Sequence, residues 1–156
     1  MGCSGRAAEP LRWPRSLKAP TRLQAFLMGM PLVGADKRVL RDWRRQVAAR
    51  PDTWQGEWPQ GQEVRRARDA LARIIMREME WPQGRFAPGD PLSILLFDPT
   101  ISLLAVGALE DIEALLKREL TVEEVSLLTF GDLVQMVLAA EGPNALAGGG
   151  ADEACA

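Results

Sequence analysis

Few side chains in this sequence have the types and spacing that chemistry requires. Histidine is absent, which removes the commonest general base, proton shuttle and transition-metal ligand, and with it any serine or cysteine nucleophile activated by histidine within the chain. Cys3 and Cys155 stand at opposite ends, and neither belongs to a Cys-x-x-Cys pair or a metal-ligand cluster. Carboxylates remain for acid–base work. Asp90, Asp98 and Glu110 are candidates, but they lack the paired spacing that a general acid and base, or a metal, would need. These residues predict a protein that is not an enzyme and holds no metal.

The 156 residues are 47% hydrophobic and 26% charged, which excludes a fibre or a wholly disordered chain and allows one core. No apolar run approaches the roughly 18 residues that cross a bilayer. The longest, 101–109, is broken by Ser102 and Gly107. The Met-Gly start has no apolar region behind it, and Arg6 stands where the myristoylation pattern has Ser or Thr. The expectation is a cytoplasmic protein with neither membrane nor nucleic acid as partner. It would have a flexible tail over 1–20, a single helical domain over 21–139 and a disordered Gly- and Ala-rich tail over 140–156.

Charge is distributed unevenly. Residues 1–82 carry 16 Lys/Arg against 9 Asp/Glu, and residues 83–156 carry 3 against 12, so the halves stand at +7 and −9. Such asymmetry implies either an internal complementary interface or two faces with different partners. For an internal interface, the Arg-rich helix bearing Arg41, Arg44 and Arg45 is the expected positive side.

The elements that position these residues read as helices. Residues 35–50 place Val39, Leu40, Trp43 and Val47 on one stripe, with Pro51 just past the end. Residues 62–80 do the same with Val64, Ala67, Leu71, Ile74, Ile75 and Met79. Glu-Trp-Pro-Gln-Gly occurs at 57–61 and again at 80–84 with unlike flanks. It reads as a reused turn that parks a ring on the body rather than as a solenoid repeat. Residues 82–100 form a proline-rich ordered loop around the apolar island 92–97, which is expected to be a buried turn; a strand there would need a partner.

The organising stretch is 101–137. Leu103, Val106, Leu109, Ile112, Leu116 and Leu120 recur every three or four residues, with Glu110, Asp111 and Glu113 on or beside the exposed flank. Thr121 with Glu124 is a capping box, and Thr129 with Asp132 opens a last helix whose Leu133, Val134 and Val137 face inward. Taken alone, Ser102 is an N-cap or helix-start residue, and the acids form a solvated face.

A long helix, a structured loop, an acidic helix, a capped turn and a final helix, in that order over roughly 62–138, resemble the acyl carrier protein family. Setting the helix end at Leu120-Thr121 places Ser102-Leu103 on the family's Ser-Leu motif, although Ile101 stands where the family has Asp. The resemblance implies an all-α small helical bundle. It also implies Ser102 as the attachment point of a 4′-phosphopantetheine arm, and Glu110, Asp111 and Glu113 as an acidic recognition surface for a protein partner with a basic surface. Two functions follow as expectations. One is an acyl-carrier-like helical docking module, modified or degenerate. The other is an all-helical structural or protein-interaction protein with no prosthetic group.

Overall fold

The computed structural model describes residues 8–12, 35–98, 103–104 and 106–142. The fold is all-α, a small helical bundle, as the periodicities predict. Helix α1 spans Ala35–Ala48, and a short 3-10 helix at Asp52–Glu57 leads into α2, Gln62–Met79. A single helical turn, α3 (Leu92–Leu95), precedes two two-residue strands, β1 (Phe97–Asp98) and β2 (Leu103–Leu104). Then follow α4 (Val106–Leu116), α5 (Val122–Leu127) and α6 (Phe130–Glu141). Among the described residues no helix is long and apolar enough to cross a membrane.

Helix α2 is central because its apolar stripe has two partners: it packs against both α4 and α6, which also touch each other. Ala67, Leu71, Ala72, Ile75 and Met79 are buried on it, while Val64 and Ile74 lie half-buried at its edge. Helix α1 buries Val39, Trp43 and Val47 as expected. The Trp43 ring meets Phe97 edge-on at 6.3 Å, and its indole N–H donates to the Arg12 carbonyl at 2.9 Å.

The two Trp-Pro turns serve one purpose. Trp58 and Trp81 are both buried, and each satisfies its indole N–H on a backbone carbonyl, of Phe86 and of Leu95 respectively, at 3.2 Å. Their rings bracket a pair of phenylalanines. Trp58 meets Phe130 at 5.5 Å, Phe130 meets Phe86 at 5.4 Å, and Phe86 meets Trp81 at 5.6 Å, all edge-to-face.

Several expectations are corrected. The acidic helix does not begin at 101–103: Leu103 and Leu104 pair antiparallel with Asp98 and Phe97, and α4 starts at Val106. The apolar island therefore splits into a helical turn followed by a strand, and that strand's partner is the segment assigned to the helix. Val106, expected to face the core, is 62% exposed. At the other end, Lys117 adopts φ 55° and closes the helix, so Leu120 is buried from the following connection rather than from α4. Finally, residues 8–12, placed by the sequence in a flexible tail, lie against the body with Leu11 1% exposed. Ser102 and residues 143–156 fall outside the described residues.

The loop 86–92 is zipped to the start of α6. Phe130 N–H donates to Asp90 O at 2.8 Å, Gly131 N–H to Pro88 O at 2.8 Å and Leu92 N–H to Leu128 O at 3.0 Å. A Cβ on Gly131 would stand 2.9 Å from Pro88 O and 3.2 Å from Pro88 Cα, both backbone atoms that cannot swing aside. Helix propensity alone would favour Ala over Gly by about 1 kcal/mol. The clash outweighs it: Gly131→Ala is expected to destabilise by about 1–3 kcal/mol, measured by urea unfolding. A stabilised variant would show that the loop yields freely.

Candidate functional site

The candidate surface runs from α4 through the connection into α5. Residues 106–128 hold six Asp/Glu and two Lys/Arg, a net charge of −4. The three acids singled out in the sequence part company here. Asp111 ion-pairs with Arg77 Nη2 from α2, so it joins the two helices. Glu113 Oε1 accepts the Leu120 N–H at 2.7 Å and so holds the connection after α4. Glu110 is exposed and makes no ion pair or side-chain hydrogen bond among the described residues.

The connection is rigid because both helices after it are capped. Thr121 and Glu124 form the reciprocal capping box, with Glu124 Oε2 taking the Thr121 N–H at 2.8 Å. That backbone hydrogen bond, with help from Arg118 at 3.0 Å, holds the Glu124 carboxyl below the usual carboxylate range. A lowered folded-state pKa means the box contributes in full above the unfolded carboxyl's range and fades as pH falls through the folded value. Thr129 and Asp132 repeat the device for α6.

With α4 and α5 so fixed, Glu110, Glu119 and Glu123 face solvent without ion partners among the described residues. Exposed apolar side chains accompany them: Val106, Val122 at 43% and Leu127 at 65%. Ser102, implied as the phosphopantetheine attachment, lies outside the described residues. The next residue, Leu103, is in a strand rather than in a helical first turn, so the positive end of α4 begins only at Val106.

Asp90, considered as a catalytic carboxylate, is fully buried and its oxygens are saturated. Oδ1 accepts from Arg50 Nη2 at 2.6 Å and Leu11 N at 3.0 Å, and Oδ2 from Arg50 Nη1 at 2.6 Å and Ala87 N at 2.8 Å. Arg50 gives its other two Nη protons to the carbonyls of Arg85 at 2.6 Å and Glu9 at 3.2 Å. This carboxylate is a structural node with no route to a substrate. Sequence reading passed over Arg50. The local signals were an arginine at a helix end before Pro51 and an aspartate before Pro91, neither of which names its partner.

The charge split is partly internal complementarity, through residues other than those expected. Arg50–Asp90, Arg66–Glu141 at 3.5 Å and Arg77–Asp111 each join the basic half to the acidic half. Arg45 instead pairs with Asp42 on its own helix at 3.7 Å. Arg44 donates to the Met79 carbonyl at 2.9 Å, at the C-terminal end of α2. Among the described residues, no group of three or more His, Cys, Asp or Glu is placed to hold a metal. Comparison with known proteins finds no matching family model, no matching curated protein and no matching solved structure.

Proposed function

We propose that this chain is a non-catalytic helical docking module of acyl-carrier-like type, modified or degenerate, that presents the α4–α5 surface to a protein partner with a basic surface. The observation that carries this reading is the set of exposed carboxylates, Glu110, Glu119 and Glu123, left without ion partners among the described residues beside exposed Val106, Val122 and Leu127. Internal pairing accounts for Asp111 and Glu113 but not for these. Uncompensated charge of one sign steers an oppositely charged partner and sets its orientation, and exposed apolar side chains supply area to bury on contact.

Two measurements test the two parts of the reading. Replacing Glu110, Glu119 and Glu123 together by Lys is expected to abolish capture of a partner that the parent chain binds, identified by mass spectrometry, with the unfolding midpoint unchanged within about 0.5 kcal/mol. Retained capture of that partner would overturn the acidic docking surface. Co-expression with a broad-specificity phosphopantetheinyl transferase, read by intact mass, tests the arm. An active carrier gains one arm and Ser102→Ala does not, whereas an unchanged mass leaves the docking role without a prosthetic group.

A further inference from the structure

Away from the acidic surface, a small cleft of about 180 Å³ opens between the 3-10 helix and the start of α2. Gln55, Trp58, Gln60, Arg65 and Arg68 line it, and Gly56 and Pro59 complete the wall. The lining has two guanidiniums and two carboxamides and no carboxylate. The acids nearest in sequence are engaged or elsewhere: Glu57 accepts the Ala8 N–H, Asp69 holds Arg68, and Glu63 does not line the cleft.

Arg68 is the informative residue. Its side chain is only 7% exposed, so the guanidinium is held in place, while Nη1 is not among the buried atoms left without a partner and reaches the open cleft. Nε and Nη2 bind Asp69 Oδ1 at 2.8 and 2.7 Å, and the plane lies over the Trp54 ring at 5.0 Å. Nη1 has no hydrogen-bond partner among the described residues. Asp69 takes one N–H from Nε and one from Nη2, so both N–H groups of Nη1 stay available, and a guanidinium held on two sides presents them in a preorganised direction to an acceptor in the cleft. Arg65, one turn earlier on the same side of α2, is exposed and likewise makes no ion pair among the described residues.

The start of α2 adds to this. Gly61 at its N-cap offers no side-chain acceptor, and the first intrahelical bond is Arg65 N–H to Gly61 O at 3.2 Å. The amides before Arg65 therefore have no partner within the helix, at its positive end. We propose that this cleft binds a phosphate-type oxyanion, as the free ion or as a monoester. Arg65 and Arg68 Nη1 supply charge-assisted hydrogen bonds, and Gln55 and Gln60 supply neutral donors. The volume is well below the roughly 300 Å³ at which drug-sized pockets begin, which suits a small anion or the head of a larger ligand.

The test uses the full chain. Inorganic phosphate is titrated at ionic strength held constant with NaCl, and read by tryptophan emission, since Trp54 and Trp58 stand at the site, and by thermal midpoint. A saturable response is expected. It should weaken about tenfold in Arg65→Gln, the loss of one charge-assisted hydrogen bond, and remain unchanged in Arg41→Gln, an exposed cation elsewhere. Arg65 and Gln60 are exposed, so their variants should fold even if Arg68→Gln does not; Gln60→Ala is the second variant. Methyl phosphate binding as tightly as phosphate assigns the site to a monoester, and binding of phosphate alone assigns it to the free ion. The proposal is overturned by a non-saturating response matched by NaCl, or by affinity that Arg65→Gln and Gln60→Ala leave unchanged.

Discussion

Asp90→Asn is expected to lower the unfolding free energy by about 3–5 kcal/mol, because it leaves Arg50 as a buried cation without a counter-charge. Arg50 has a side chain only 5% exposed, so water cannot replace the lost partner. The cost also spreads through the backbone. Asp90 receives N–H groups from Leu11 and Ala87 on its side chain and from Phe130 on its carbonyl, so one residue joins the 8–12 segment, the end of α1, the 82–91 loop and the start of α6. A domain of this size holds about 5–15 kcal/mol in all. The variant therefore forfeits a large fraction of it.

A double-mutant cycle checks the cause. Arg50→Met alone should cost a similar amount, and Arg50→Met with Asp90→Asn should cost less than the sum by about 0.5–3 kcal/mol. Strict additivity in urea unfolding would show that the ion pair is not the origin of the effect. Arg50→Lys should not rescue. A single ammonium cannot reproduce the two parallel bonds at 2.6 Å together with the donation to the Arg85 carbonyl.

Phe130→Ala is expected to destabilise by about 3–5 kcal/mol, the usual cost of emptying a buried phenylalanine site. The ring is fully buried and stands between Trp58 and Phe86, so its removal leaves a cavity that two edge-to-face partners line. Those partners are themselves tied down: the Trp58 indole donates to the Phe86 carbonyl at 3.2 Å. The site therefore has little freedom to collapse, which places the cost toward the upper end. Tryptophan emission should shift to the red as Trp58 meets water, and Phe130→Leu should recover more than half of the loss. A cost under about 1 kcal/mol would mean the aromatic chain repacks freely.

These two sites are neighbours, since Phe130 is both the ring and the amide that binds the Asp90 carbonyl. Their costs are therefore not expected to add. Both also lie where α6 meets the proline-rich loop, which makes that seam, rather than the acidic helix, the most sensitive part of the fold.

Much of the architecture was legible in the sequence because it is local. The stripe Val39, Trp43 and Val47, the stripe Ala67, Leu71, Ile75 and Met79, and the inward face of α6 follow from a period of 3.6 residues, which any apolar face on a helix must obey. Both capping boxes were legible for the same reason, since a threonine and an acid three residues on at a helix start are within reach of each other's backbone N–H. The Trp-Pro turns announced that two rings would be set against the body, and they are.

What the sequence left undecided was each choice of partner. The apolar residues Leu103 and Leu104 suit a strand or a helix equally well, and only the presence of Phe97 and Asp98 alongside them settles on a strand and moves the start of α4 to Val106. In the candidate site the three acids were visible, but the sequence does not say which are consumed internally. The packing of α2 on α4 brings Arg77 to Asp111, 34 residues away, while Glu110 on the adjacent flank has no ion partner among the described residues. The Arg50–Asp90 pair, 40 residues apart, depends on four chain segments closing around one carboxylate. By itself, then, the sequence determined that the elements are helices, the inward faces of α1, α2 and α6, the caps of α5 and α6, and the overall sign of each half, but not where α4 begins and ends. Only the tertiary structure decided which charges are neutralised inside and which are offered outward, because a side chain's partner is set by the distance through space that packing creates and not by its distance along the chain.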